Sequence, residues 1–284
     1  MAIIYKSTNA DAPVMTGADK TSIVRVLRAC LVDGYGDKPR AGWVMPFVNA
    51  DGTKAAFKNA GTGFYLRIDD SVSGVFFKCA SFESMSDIDT GVNAIASEYS
   101  DRGRAALNNN AIPWVVAAND KFVFLVIYTG YSLYPENPKS IQTASLFFGD
   151  FAPNRNGDAF CCMSSGSSYS STTIFGQLSN NIYIARNYDG VVGGVAARVL
   201  IPFASGLGNS NEVYSNNSNL IVSKVMVIEG GNIIRGLLDE CLAPLQKIPF
   251  YNGETVSIGE KSYEAITWVS YNRYVYQLLF EVSG

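Results

Sequence analysis

Three observations predict a mainly β fold, an antiparallel sandwich or barrel-like arrangement with one N-terminal helix. Ten or more short segments of β-branched and aromatic residues follow one another, separated by polar or glycine-bearing turns. Several alternate apolar and polar residues with period two. Only one stretch keeps a helical period over several turns.

That stretch is 17–34. Ile23, Val26, Leu27, Cys30 and Leu31 recur on one helical face, Asp19 is placed to cap its start, and Gly34 to stop it. Lys20, Arg25 and Arg28 form the opposite, solvated stripe. From residue 42 the period becomes that of strands. Residues 55–59 and 64–69 read as a hairpin around 60–63, with Phe64, Leu66 and Ile68 on one face of the second strand. A strand over 75–82 follows. Trp114–Ala118 and 121–128 form a second hairpin around Asn119 and Asp120. Phe122–Tyr128 is the longest apolar run, too short for the ~20 residues that span a bilayer and suited to a buried strand.

Further strands are expected at 143–151, 158–163, 181–186, 195–203, 220–228, Lys261–Val269 and 274–282, with a short helical turn at 233–238. Two polar stretches, 164–173 and 206–219, read as flexible loops. Their residues Ser164, Ser165, Ser167, Ser168, Tyr169, Asn209, Asn211, Tyr214, Asn216 and Asn217 are the candidate interface residues. The chain reads as a single β-rich unit over 1–284, with a division into 1–150 and 151–284 left open. Gly34, Gly36, Gly61 and Gly63 are the turn glycines expected to matter most for the fold.

Composition narrows the chemistry. There is no histidine, so Ser–His–Asp and Cys–His catalysis and histidine metal ligation are excluded. The formal net charge of −3 argues against a nucleic-acid partner, which needs a basic surface. Ser (28) and Asn (22) together outnumber the 47 charged residues, a balance suited to turns and interfaces. The N-terminus lacks a signal-peptide pattern, and no membrane partner is expected. The five cysteines, Cys30, Cys79, Cys161, Cys162 and Cys241, show no zinc spacing and are expected as free thiols.

Candidate sites are sparse. Asp87 and Asp89 would share a face of a strand and could hold calcium, but the spacing of a calcium loop is absent, and turn chemistry is the simpler reading. No cofactor is expected: 190–194 is glycine-rich without the dinucleotide-binding pattern, and no phosphate-binding loop exists. Tyr128, Tyr131, Tyr134, Tyr169, Tyr183 and Tyr188 could stack on sugars, although tyrosines in β-rich chains more often pack across strands.

Several stretches resemble a group of tailed-bacteriophage virion structural proteins. They are 29–36, Gly42-Trp43, Lys54-Ala-Ala-Phe57, 64–70, Met85-Ser-Asp-Ile-Asp-Thr-Gly91, Phe148-Gly-Asp-Phe151, Gly157-Asp-Ala159, and Ile234-Arg-Gly236 leading to Pro244 and Pro249. They are turn glycines, strand aromatics and capping aspartates spread over most of the chain. Where such patterns often continue Arg-Gly-x-Leu-Pro-Gly, this chain has Arg235-Gly-Leu-Leu-Asp-Glu240.

The resemblance implies a non-enzymatic particle component in many copies, in the neck, tail or baseplate. It would be made in the host cytoplasm and carried on the virion, with copies of itself and other virion proteins as partners. A capsid-decorating protein, or a tail-fibre module binding a host surface glycan, are the alternatives.

Overall fold

In the computed structural model the period-two segments form antiparallel strands. Residues 1–72, 76–102, 108–129, 143–153, 161–167, 182–200, 222–230, 233–244, 250–269 and 275–283 are described. Strand β1 (Ile3–Lys6) leads to helix α1 (Ser22–Arg28), which continues as a π-helical turn over Ala29–Asp33. The Gly34 N–H closes that turn on the Ala29 carbonyl at 2.8 Å.

A five-stranded meander follows in chain order: β2 (Val44–Val48), β3 (Lys54–Lys58), β4 (Tyr65–Asp69), β5 (Phe76–Asp87) and β6 (Thr90–Arg102). The other strands build a larger sheet. They are β7 (Trp114–Ala118), β8 (Phe122–Tyr128), β9 (Thr143–Asp150), β10 (Ala152–Pro153), β11 (Cys161–Ser167), β12 (Ile182–Arg186), β13 (Val192–Leu200) and β14 (Val222–Glu229). They continue as β15 (Ile233–Pro244), β16 (Thr255–Ile258), β17 (Lys261–Val269) and β18 (Val275–Val282). The order is β1-β7-β8-β9-β11-β12-β13-β14-β15-β18-β17-β16, with β10 paired to β15.

The unbroken apolar run of β8 has a simple cause: strands β7, β8 and β9 are buried on both faces. Trp114, Val116, Val123, Leu125, Leu146 and Phe148 point toward α1 and the inner face of the five-stranded sheet, joining Ile23, Leu27, Phe57, Leu66 and Ile68. Val115, Ala117, Phe122, Phe124 and Phe147 point the other way, toward Ile266, Leu278 and Phe280. Phe280 stacks on Phe124 and Phe122 with centroids 5.4 and 5.9 Å apart. Each such buried side chain contributes roughly 1.5–3 kcal/mol.

The far end of the large sheet returns to its beginning. The Ala2 N–H donates to the Glu281 carbonyl (2.7 Å), and the Tyr128 hydroxyl donates to the Thr267 carbonyl (3.2 Å).

Three expectations are corrected. The helical turn expected at 233–238 is strand β15, paired with β14 from Glu229↔Ile233 to Val222↔Pro244. Its apolar residues satisfy a strand that is buried along part of both faces, a pattern that does not discriminate over six residues. Ser164, Ser165 and Ser167 lie in β11, whose ladder to β9 runs to Ser167↔Ala144. Backbone pairing carries the strand on through side chains that read as a loop, so residues 164–167 are strand.

Asp19 is not the helix cap: Thr21 holds that position without a side-chain bond, and Asp19 Oδ1 accepts from the Thr21 N–H and hydroxyl (2.8 and 2.7 Å). The amide of Ile23 goes instead to the buried Asp70 carboxylate (3.2 Å).

Candidate functional site

The turn Asn119–Lys121 between β7 and β8 is where the two sheets are fastened. Asn119 Oδ1 accepts from the Lys121 and Phe122 amides, shaping the turn. Trp43 Nε1 donates to the Asn119 carbonyl (2.6 Å), and the Ala60 amide donates to the Asp120 carbonyl (2.8 Å).

Asp150, at the end of β9, closes the joint. Its carboxylate accepts from the Thr62 amide and hydroxyl (both 2.7 Å) and from Asn59 Nδ2 (2.8 Å). Burial pushes the Asp150 carboxyl above its ordinary value, against the pull of the Thr62 and Asn59 hydrogen bonds. Gly61 leaves the room: a Cβ there would lie 1.9 Å from Asp150 Oδ2.

A second joint ties β5 to β12. Arg186 binds Glu83 through two parallel bonds, Nε to Oε1 at 2.8 Å and Nη2 to Oε2 at 3.1 Å, and Asn93 Nδ2 adds a third bond at 3.0 Å. Burial would raise the Glu83 carboxyl, but the Arg186 and Asn93 hydrogen bonds outweigh it and hold the group below its ordinary value. Behind it the buried Arg235 donates to the Arg186 carbonyl (2.9 Å) and pairs with Glu229. Gly194 completes the approach of β13 to β6, since a Cβ would meet the Ile95 carbonyl oxygen at 2.2 Å.

The outer face of the five-stranded sheet follows from register. One row crosses it as Val44–Lys58–Tyr65–Phe82–Ala94, and the next includes Phe47, Ala56, Arg67 and Ala80. Lys58 Nζ lies 5.5 Å from the Tyr65 ring centroid, and Arg67 lies the same distance over Phe82.

Asp87 and Asp89 belong to a tight hairpin turn, because Asp87 pairs Thr90. The Asp89 amide donates to Asp87 Oδ1 (3.3 Å), and Asp89 faces Lys54 (3.1 Å) and Arg67 (3.9 Å). Asp89 is thus paired with two cations, while Asp87 serves the turn. No cluster of three or more acidic or cysteine ligands exists among the described residues.

Ser168, Tyr169, Asn209, Asn211, Tyr214, Asn216 and Asn217 lie outside the described residues, as do Tyr131 and Tyr134. Tyr128, a candidate for stacking on sugars, is buried, and Asn252 Nδ2 donates to its hydroxyl at 2.8 Å. Tyr188 is exposed.

Gly34 and Gly36 both adopt positive φ, 79° and 53°, and a Cβ on Gly36 would meet the Ala10 carbonyl oxygen at 2.7 Å. The Gly63 amide donates to Asn59 Oδ1 (2.8 Å). The described cysteines Cys30, Cys79 and Cys241 are buried. No described helix is long and apolar enough to cross a membrane.

Glu83 and Arg186 are 103 residues apart, and nothing local marks them as a pair. Asp150 lies within Phe148-Gly-Asp-Phe151, but only the fold brings the 59–63 turn to it. No family model and no curated protein matches the chain.

Proposed function

We propose that this chain is a non-enzymatic structural subunit of a tailed-bacteriophage virion, used in several copies in the neck, tail or baseplate. One observation carries the reading: several of the stretches that bear the resemblance supply residues that hold distant parts of the fold together. Phe148-Gly-Asp-Phe151 supplies Asp150, which fastens the sheets. The 64–70 stretch ends in Asp70, which binds the Ile23 amide. The 29–36 stretch is the π-helical turn with its two glycines. Met85–Gly91 holds the hairpin whose Asp89 meets Lys54. What these residues have in common is the holding of a shape, the property a particle component needs.

The finer architecture belongs to the same proposal. The large sheet curls so that β1 and β8 face β17 and β18, giving a sandwich- or barrel-like body on which the smaller sheet and helix are laid. The chain works as one unit, since a single apolar core draws on Ala2, Phe122 and Phe151 as well as on Ile182, Val227 and Phe280.

The test is peptide mass spectrometry and gold-labelled antibody on purified particles. The chain is expected on the particle, at one defined level, in several copies. Its absence from particles, or turnover of host polysaccharide abolished by Asp87→Asn, overturns the reading.

A further inference from the structure

Four strands end the two sheets, β1 and β16 in the large one, β2 and β6 in the small one. An end strand turns half of its backbone groups away from its neighbour, and a bare row of them is a template for another strand. Three of the four ends are blunted. Beside β1 the outward amides of Ala2 and Lys6 are taken by the Glu281 carbonyl and by Asn9 Oδ1 (both 2.7 Å). Strand β2 carries Pro46, which has no N–H, and a bulge in its pairing with β3. Strand β6 is approached by β13, whose Gly194 lies against the Ile95 carbonyl.

Strand β16 has none of these devices. Thr255-Val-Ser-Ile258 contains no proline and no lysine, and its register with β17 is unbroken from Thr255↔Glu264 to Ile258↔Lys261. The Ala265 amide donates to the Glu254 carbonyl (2.9 Å), so these two residues are a hydrogen-bonded pair of the ladder. Such pairs alternate along antiparallel strands. Val256 and Ile258 therefore bond to β17, while Thr255 and Ser257 turn their N–H and C=O groups outward. The two-residue turn at 259–260 has the same parity. Thr255 and Ser257 are exposed, and no described residue bonds their outward groups.

The side chains define a face as well. Val256 and Ile258 are half-buried against Tyr263, Ala265 and Leu279, an apolar patch that reaches the sheet's end here.

We propose that β16 is a dimerisation edge, at which two copies of this chain join by antiparallel pairing of β16 with β16 about a two-fold axis at Val256. A second copy is the occupant because this strand is its own complement in one register. Thr255 of each copy faces Ser257 of the other, so the outward N–H and C=O groups bond one another and none is left over. Val256 meets Val256 across the axis and continues the apolar patch from chain to chain. Glu254 faces Ile258, so no charge in the pairing meets a like charge. A shift of two residues toward the turn makes Ser257 its own partner and sets Glu254 beside Glu260. A shift the other way sets Ser257 opposite Gly253, whose amide is already on the Ala265 carbonyl (2.7 Å). The contact rests on the edge itself, and the virion reading supplies only its biological setting.

The test is disulfide trapping in the full chain, by mild oxidation and non-reducing electrophoresis. Wild type alongside reports any cross-linking through the native cysteines. Val256→Cys is expected to give a covalent dimer, because the two Cα atoms would stand about 4.5 Å apart across the axis. Thr255→Cys alone and Ser257→Cys alone would each sit diagonally from their counterparts, roughly 7–8 Å away, and are expected to cross-link about tenfold more slowly. An equal mixture of those two is expected to yield the mixed dimer at a rate close to that of Val256→Cys. Adding Ser257→Pro to Val256→Cys is expected to slow trapping about tenfold at an unchanged circular-dichroism melt, since residue 257 gives no N–H to β17.

Val256→Cys that cross-links no faster than Thr255→Cys or Ser257→Cys overturns the proposal. So does trapping that survives Ser257→Pro in a folded chain. If the proline lowers the melt, the three cysteine variants decide alone. Trapping at Val256 in a chain absent from particles removes the virion reading alone. A particle-borne chain that is not trapped there removes this inference alone.

Discussion

Gly61 and Asp150 are in contact across the joint between the two sheets, with no space for a Cβ between them: one would lie 1.9 Å from Oδ2. The carboxylate needs that space because its bonds to Thr62 and Asn59 come from the same turn. Gly61→Ala is therefore expected to displace Asp150 and cost about 2–3 kcal/mol, read as a lower urea midpoint at unchanged slope. Gly230→Ala is the control, since nothing lies within 4 Å of a Cβ there, and it should change stability by less than about 0.5 kcal/mol. Equal effects at the two positions would show that the Asp150 joint is not what makes Gly61 necessary.

Asp70 binds the start of a helix 47 residues away in sequence. Replacing it with Ala should lower stability by about 1–2 kcal/mol, the usual worth of an N-terminal cap. Asn keeps an oxygen for the Ile23 amide and should recover about half. A loss for Ala no larger than for Asn would mean that the carboxylate is dispensable to the helix.

The Glu83–Arg186 joint makes stability depend on pH with a defined sign. The folded-state value of Glu83 is lowered, so the native state holds the proton less tightly than the unfolded chain. Its contribution is then full above the ordinary glutamate value of 4.5 and is lost as pH falls through the lower, folded value. Glu83→Gln should destabilise the protein near neutrality and match wild type once the carboxyl is protonated in both states. Asp150 has the opposite sign: its raised value means stability falls as pH climbs from 3.8 through the folded value. Chemical denaturation of wild type, Glu83→Gln and Asp150→Asn across this range separates the two.

Tyr128 connects β8 to the far end of the large sheet through its hydroxyl. Tyr128→Phe should cost about 1–2 kcal/mol, because Asn252 Nδ2 loses its acceptor and the Thr267 carbonyl loses a donor. Hydrogen exchange of the Thr267 amide, which donates to Asn252 Oδ1 at 3.0 Å, should quicken selectively. Unchanged protection there would argue that the loop at 250–254 is held by other contacts.

Cys30, Cys79 and Cys241 are all buried, and burial pushes the Cys30 and Cys241 thiols up from their ordinary value. A thiol reagent at neutral pH should leave these three unlabelled in the folded chain and label them in urea. Rapid labelling of any of them without denaturant would contradict their placement in the core.

The hairpin 114–128 and strand Lys261–Val269 were legible because long apolar or alternating runs are flanked by plain turn signals. Strand β15 was not, since six apolar and polar residues fit a helical turn as well as a partly buried strand until β14 lies beside them. The serines of β11 misled in the other direction, because a ladder is made by backbone and is indifferent to side-chain polarity.

Composition and periodicity alone were enough to settle the mainly β class of fold, the N-terminal helix and the exclusion of histidine chemistry. These are local properties, set by each residue's own propensities and its near neighbours. Pairings between distant parts of the chain came only with the folded molecule. Examples are Asp70 with Ile23, Asp150 with the 59–63 turn, and Glu83 with Arg186. Each joins residues from separate elements, and a charged or apolar side chain carries no mark of which distant partner it will meet until the sheets have been laid against each other.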